Sequence, residues 1–231
     1  MGPTWTGFYV GLNGGWGYSN MRSTLAPLGP IALPSAEFND IGNGGVFGGQ
    51  AGYNWQFGNW VFGAEADLDA GSINSPHQVV FGGVLNVPAS QNGMMIRENI
   101  NWLGTVRGSV GYEWGPGLMY LTAGGAWENV TVNTMLTAQT ALAFTSATLT
   151  STFNDNKFGG VIGAGYEWMM APNRTLRGEY LFYGFRGSNA NTLSTVCGGG
   201  LAPATANACG AAVALSQNYL SVFRGGANYK F

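Results

Sequence analysis

Charge is what this chain has least of. Only 9% of its 231 residues are Asp, Glu, Lys or Arg, against about 25% in ordinary soluble domains. Such a chain has little with which to coat a compact body for water. Disorder is excluded from the other side, because 13% aromatic residues beside so little charge is the reverse of a disordered composition. A net charge of −2 gives no electrostatic footprint for nucleic acid, so no nucleic-acid partner is expected. One His and two Cys leave little material for a metal site, and no metal or cofactor is expected. The 39 glycines show no every-third period, which excludes collagen. Long apolar runs are missing as well. The longest uncharged stretch, Gly187 to Phe223, is dense in Gly, Ser, Thr and Asn, whereas a spanning helix needs about 20 apolar residues. A membrane protein without membrane helices must be a closed β-barrel, the other fold that satisfies every backbone polar group in lipid. The opening Met-Gly-Pro-Thr-Trp has no basic region followed by an apolar core, so no signal peptide is expected, and Met1 reads as an initiator added to a mature chain.

What is present is period-2 alternation, which in a barrel separates lipid-facing from lumen-facing residues. Phe8, Val10, Leu12, Trp16 and Tyr18 share one face. Trp60, Phe62, Ala64, Ala66 and Leu68 oppose Glu65, Asp67 and Asp69, and Ile100, Trp102, Val106 and Val110 oppose Asn101, Thr105 and Arg107. Near the end, Tyr219, Phe223, Tyr229 and Phe231 oppose Arg224 and Lys230. Eight such strands are expected. Tight turns at Gly58-Asn59, at Gly115-Pro116-Gly117 and at 171–174 alternate with long loops at 19–43, 72–98, 134–156 and 187–216. Outer-membrane barrels have this asymmetry, with short periplasmic turns and long outer loops. A recurring Gly-Tyr-x-Trp element at Gly52, Gly111 and Gly165 closes even-numbered strands. With Trp5 and Trp60 it predicts one aromatic girdle, and Trp16, Trp102, Trp127 and Tyr219 predict a second near the loops. The chain is thus expected to form one all-β domain over 1–231, an integral membrane, antiparallel, eight-stranded up-and-down β-barrel.

Several stretches carry a resemblance. Trp5-Thr6-Gly7-Phe8-Tyr9-Val10-Gly11, Gly49-Gln50-Ala51-Gly52-Tyr53-Asn54-Trp55, Phe62-Gly63-Ala64-Glu65-Ala66-Asp67 and Trp102-Leu103-Gly104-Thr105-Val106-Arg107-Gly108 are similar to the opacity-like, porin-like eight-stranded outer-membrane barrels of alphaproteobacteria. The resemblance covers nearly all strands and none of the long loops. It implies a location in the outer membrane as a multi-pass barrel. It also implies that the terminal strand, with Tyr229 and Phe231, is the signal read by the barrel-assembly machinery during biogenesis. For activity it implies only a range: structural surface antigens, narrow porins and haemin-binding adhesins.

Alternation directs seven carboxylates inward, those of Glu65, Asp67, Asp69, Glu113, Glu128, Glu167 and Glu179, together with the bases Arg107, Arg177, Arg224 and Lys230. An eight-stranded bore is about wide enough for side chains alone, and unpaired charges there are costly. The expected result is a polar plug of ion pairs, giving a structural surface protein of the envelope. A narrow porin for small solutes or cations is the alternative, since acids outnumber bases. Glu65, Asp67 and Asp69 lie about 7 Å apart along one face, which suits a cation, though ion pairs to Arg107 are expected to claim them. Catalysis lacks material. His77 is the sole imidazole, reads as a solvated loop residue and has no G-x-S-x-G element beside it, so no enzyme is expected.

Cys197 and Cys209, with eleven residues between them in the last loop, are expected to form a disulfide in an oxidising compartment. Such a closure contributes about 3 kcal/mol in the chain-entropy model. Arg22, Arg97, Lys157 and Arg186 stand near the four loop–strand junctions and predict a rim that contacts lipopolysaccharide phosphates. The loops carry apolar pieces, such as Val79-Val80-Phe81 and Val84-Leu85-Asn86-Val87. Three readings stay open for them: strand extensions, lateral self-association, and a surface for adhesion or a ligand such as haemin.

Overall fold

Every stretch of alternation becomes a strand in the computed structural model, which describes residues 4–28, 36–80, 93–139, 146–186, 191–196 and 208–231. In chain order the strands are β1 (Gly7–Leu28), β2 (Ala36–Phe57), β3 (Trp60–Val80), β4 (Gly93–Trp114), β5 (Gly117–Gln139), β6 (Ser146–Ala171), β7 (Arg174–Phe185), β8 (Asn191–Val196) and β9 (Ala208–Lys230). From β1 to β7 consecutive strands pair antiparallel, β7 pairs with β9, and β9 returns to β1, with Tyr9 opposite Lys230 and Trp16 opposite Phe223, so the sheet closes. Closure removes the two edges that an open sheet would leave unsatisfied in lipid.

The ninth strand does not enlarge the barrel. β7 pairs with β9 from Arg174–Tyr229 to Phe185–Asn218, and β8 takes over the same edge of β9 from Asn191–Val213 to Val196–Ala208. β7 and β8 are therefore two pieces of one broken stave, and the barrel has eight staves, as its sequence predicts.

The long loops are corrected. Most of 19–43, 72–98 and 134–156 is strand: β1 runs on to Leu28, β2 begins at Ala36, and β5 and β6 pair as far as Gln139 with Ser146. Uncharged, β-branched and amide-bearing residues such as Thr134, Thr150, Thr152 and Asn154 lose nothing by pairing, and pairing satisfies their backbone groups. A 22-residue strand tilted at roughly 40–45° rises about 50 Å, twice the height of a barrel's apolar band of about 25 Å. Half of the barrel thus stands clear of the membrane.

At the other end the strands join through two-residue turns. Gly58 and Gly115 open two of them with φ of 61° and 62°, a backbone region that a Cβ would penalise. Each turn is lashed to the next strand along: Asn59 O accepts from Glu113 N at 2.8 Å, Pro116 O from Met169 N at 2.9 Å and Asn173 O from Lys230 N at 2.9 Å.

Burial follows residue parity, as in β7, where Thr175, Arg177, Glu179, Leu181, Tyr183 and Phe185 all point inward. Outward rings form the turn-end girdle, including Trp55, Trp60, Tyr112, Trp114 and Trp168, with Trp60 edge-on to Tyr112 at 5.3 Å. Trp16, Trp102 and Tyr219 stand outward at the opposite boundary. Two expectations fail here. Trp5 is 2% exposed and packs inside the turn-end mouth, because the segment before β1 folds back across it. Ile100 is fully buried while Asn101 is exposed, because the β4–β5 register slips between Ile100 and Trp102. A bulge of one residue reverses the parity of everything beyond it.

Candidate functional site

The lumen holds the densest chemistry, in layers from the turn end upward. In the mouth, Trp5 packs with Val61, Leu118 and Met169. The Trp5 backbone N–H donates to Gln56 Oε1 at 2.7 Å, and Gln56 Nε2 donates to Gly58 O at 3.0 Å and to Glu113. Lys230 Nζ donates to the Thr4 carbonyl. Glu113 and Lys230 therefore serve the mouth and stand apart from the central charges.

Above the mouth lies a chain of polar side chains. Asn13 donates to Gln50 at 3.0 Å, Gln50 to Asn228 at 2.6 Å, and Asn228 to Glu167 at 2.8 Å. Thr175 also donates to Glu167. Nothing but parity singled out Asn13, Gln50 and Asn228 beforehand.

The middle layer is a lattice of three guanidiniums and four carboxylates. Asp67 Oδ2 accepts from Arg107 at 2.7 Å, Arg224 at 2.8 Å and Thr105 at 2.8 Å. Arg224 also reaches Asp69 at 2.7 Å and bonds Glu179. Arg177 bridges Glu179 at 2.6 Å and Glu65 at 3.0 Å, and Arg107 bonds Glu65 and lies 3.3 Å from Glu179. Tyr9 donates to Glu65 at 2.6 Å and Tyr120 to Glu179 at 3.0 Å, with Arg177 5.8 Å above the Tyr120 ring. Neighbouring glycines make room: a Cβ at Gly48 would collide with Asp69, and one at Gly52 with the Tyr9 hydroxyl. Each carboxylate of the lattice is within charge-assisted reach of at least one guanidinium, so the Glu65–Asp67–Asp69 face is taken up by arginines. Among the described residues no group of three or more His, Cys, Asp or Glu is disposed to hold a metal ion. Beneath the lattice a cavity of about 20 Å³ is lined by Tyr9, Glu65, Arg107, Tyr120 and Arg177, space for about one water.

Beyond the lattice the lumen turns apolar, a layer the sequence reading missed. Ile73, Ile96, Ile100, Val130, Leu181 and Phe185 belong to one buried cluster that lies above the lattice in the outer half, with Glu98 and Thr134 buried among the described residues of the same region. One signal was there: from Tyr180 to Phe185 both parities are largely apolar, as in strands buried on both faces. Glu128 is in this outer half and fully buried, 3.8 Å from Lys157. Lys157 is only 3% exposed, and its place at the rim is corrected, because odd positions of β6 point inward. Arg22, Arg97 and Arg186 are exposed. His77 is also corrected, from a loop residue to a β3 strand residue opposite Ile96. Cys197 lies outside the described residues, and with it the Cys197–Cys209 pairing.

Comparison with known proteins places this geometry. The model of the outer membrane protein β-barrel domain matches residues 2–231. The 31 kDa outer-membrane immunogenic protein of Brucella melitensis is 31% identical over 183 residues, covering 78% of this chain and 70% of that protein. The 22 kDa outer membrane protein of Rhizobium leguminosarum is 33% identical over 181 residues, covering 78% and 64%. The crystal structure of Ail, the attachment invasion locus protein of Yersinia pestis, aligns over 98% of this chain and 99% of that one at 10% identity, with a TM-score of 0.42. The chain belongs to the outer membrane protein β-barrel domain family and crosses the outer membrane as a multi-pass barrel.

Proposed function

We propose that this barrel is a non-enzymatic structural and surface component of the envelope that passes no ions or solutes through its lumen. The observation that carries the reading is the lattice of Arg107, Arg177 and Arg224 with Glu65, Asp67, Asp69 and Glu179, which links β3, β4, β7 and β9 across the bore. The apolar cluster above it and the Trp5 packing below it support the same conclusion, since neither offers a hydrated path. A display role is supported by the height of the barrel beyond the membrane, and by relatives named outer-membrane immunogenic proteins.

Single-channel recording in a planar bilayer tests the reading, with folding checked by heat-modifiable gel mobility. The wild type is expected to be silent. The variant Glu65→Gln/Asp67→Asn/Asp69→Asn leaves three guanidiniums to share the Glu179 carboxylate and is expected to lower the temperature of the mobility shift. Steady cation-selective current through the wild type, altered in the triple variant, would replace this reading with that of a narrow porin.

A further inference from the structure

Just beyond the outer aromatic boundary, β4, β5 and β6 present a patch that the lumen does not use. Outward side chains there are amides and hydroxyls joined laterally, bordered on β4 by the exposed Arg97 opposite Asn133. Asn101 Nδ2 donates to Asn129 Oδ1 at 2.9 Å and to Thr131 Oγ1 at 2.7 Å. Asn129 donates to Asn156 Oδ1 at 2.8 Å, Thr131 to Asn154 Oδ1 at 2.7 Å, and Thr152 to Asn133 Oδ1 at 2.7 Å. All five bonds lie at the exposed surface. Because Asn133, Asn154 and Asn156 accept through Oδ1, their Nδ2 groups are directed away from these bonds and keep donor capacity, as the carbonyl of Asn101 keeps acceptor capacity. The grid repeats at about 7 Å along a strand and about 4.8 Å between strands, the scale of a pyranose ring and its hydroxyls.

Height selects the occupant. Trp102 follows Asn101 directly, and Trp127 and Phe158 each lie two residues below the patch on β5 and β6. The patch therefore begins where the hydrocarbon ends, level with the headgroups of the outer leaflet. Composition selects its chemistry. The bonded side chains are all neutral, and Lys157, the base that sequence placed beside them, points inward to Glu128. Amides that both donate and accept match neutral vicinal hydroxyls, and rings at the lower border offer the apolar face on which sugars stack.

We propose that this amide panel binds the sugar residues of the glycolipid that forms the surrounding outer leaflet, holding them by neutral hydrogen bonds. The panel is independent of whether the lumen conducts. The test titrates the full-length barrel in detergent micelles with three probes: rough-type lipopolysaccharide carrying its core oligosaccharide, free lipid A, and the core oligosaccharide released from lipid. Wild type is expected to bind lipopolysaccharide about tenfold more tightly than lipid A. The variant Asn129→Val/Asn154→Val/Asn156→Val, which retains strand propensity, is expected to lose that preference while keeping its heat-modifiable mobility. The variant Arg22→Gln/Arg97→Gln/Arg186→Gln is expected to weaken both lipid-linked probes equally and to keep the preference. Equal affinity for lipopolysaccharide and lipid A in wild type, or a preference that survives the valine variant, would overturn the proposal. Released oligosaccharide binding as tightly as the lipid-linked form would overturn the assignment to the membrane's own glycolipid.

Discussion

Below the level of Leu103 this barrel is inside out, and above it the barrel is built like a water-soluble protein. In the membrane half, Leu68, Val106, Leu121 and Ile162 face outward while Asp67, Arg107, Glu179 and Arg224 face inward. In the outer half, Asn101, Thr131 and Asn154 face outward while Ile100, Val130 and Val132 face inward. The same sheet, with the same alternation, serves both. What changes is the solvent: lipid takes the apolar face in one half, and water takes the polar face in the other. At the junction between Ile100 and Trp102 the β4 chain inserts one residue relative to β5, exchanging the two faces of that strand.

The comparison can be broken most forcefully in the lattice. Arg224→Ala leaves Asp67, Asp69 and Glu179 short of a guanidinium in the buried layer and is expected to cost about 3–5 kcal/mol. Urea unfolding followed by loss of the heat-modifiable form measures it, and a cost under 1 kcal/mol would show that the lattice does not hold the staves together. In the outer half, Ile100→Asn is expected to destabilise by about 3 kcal/mol, combining lost packing with a buried amide. Asn101→Ile, one residue along, is expected to leave stability nearly unchanged. If the two variants behaved alike in the same unfolding assay, the claimed exchange of faces would fail. Trp5→Ala should cost about 3 kcal/mol through the cavity it leaves, with faster hydrogen exchange at the turn end as a second readout. The mildest effect is expected from Glu128→Gln/Lys157→Met, which removes a buried pair from an apolar layer and should be neutral or slightly stabilising.

Parity explains how much could be read without coordinates. The strands of the membrane half, their inward charges and their outward rings were legible because lipid demands apolar residues at every second position. Extramembrane strands were illegible for the opposite reason. Thr134, Thr152 and Asn154 carry no lipid-facing signal, so their stretch resembled loop although the backbone pairs throughout. The bulge at Asn101 was invisible because a single inserted residue leaves composition unchanged. Proximity to an expected loop is a poor guide to Lys157, since the alternation running from Lys157 through Val161 to Glu167 points it inward. Trp5 precedes the first strand, where no alternation exists to say which way a ring will turn.

The pairing of β1 with β9 has a consequence in time. Tyr9 meets Lys230, and Leu12 meets Ala227, across almost the whole chain. Until β9 has been made, β1 exposes a full edge of unpaired backbone, and no local folding can cover it. Synthesis and closure are therefore separate events, and between them an open, aromatic-rich sheet offers its edge to its own kind.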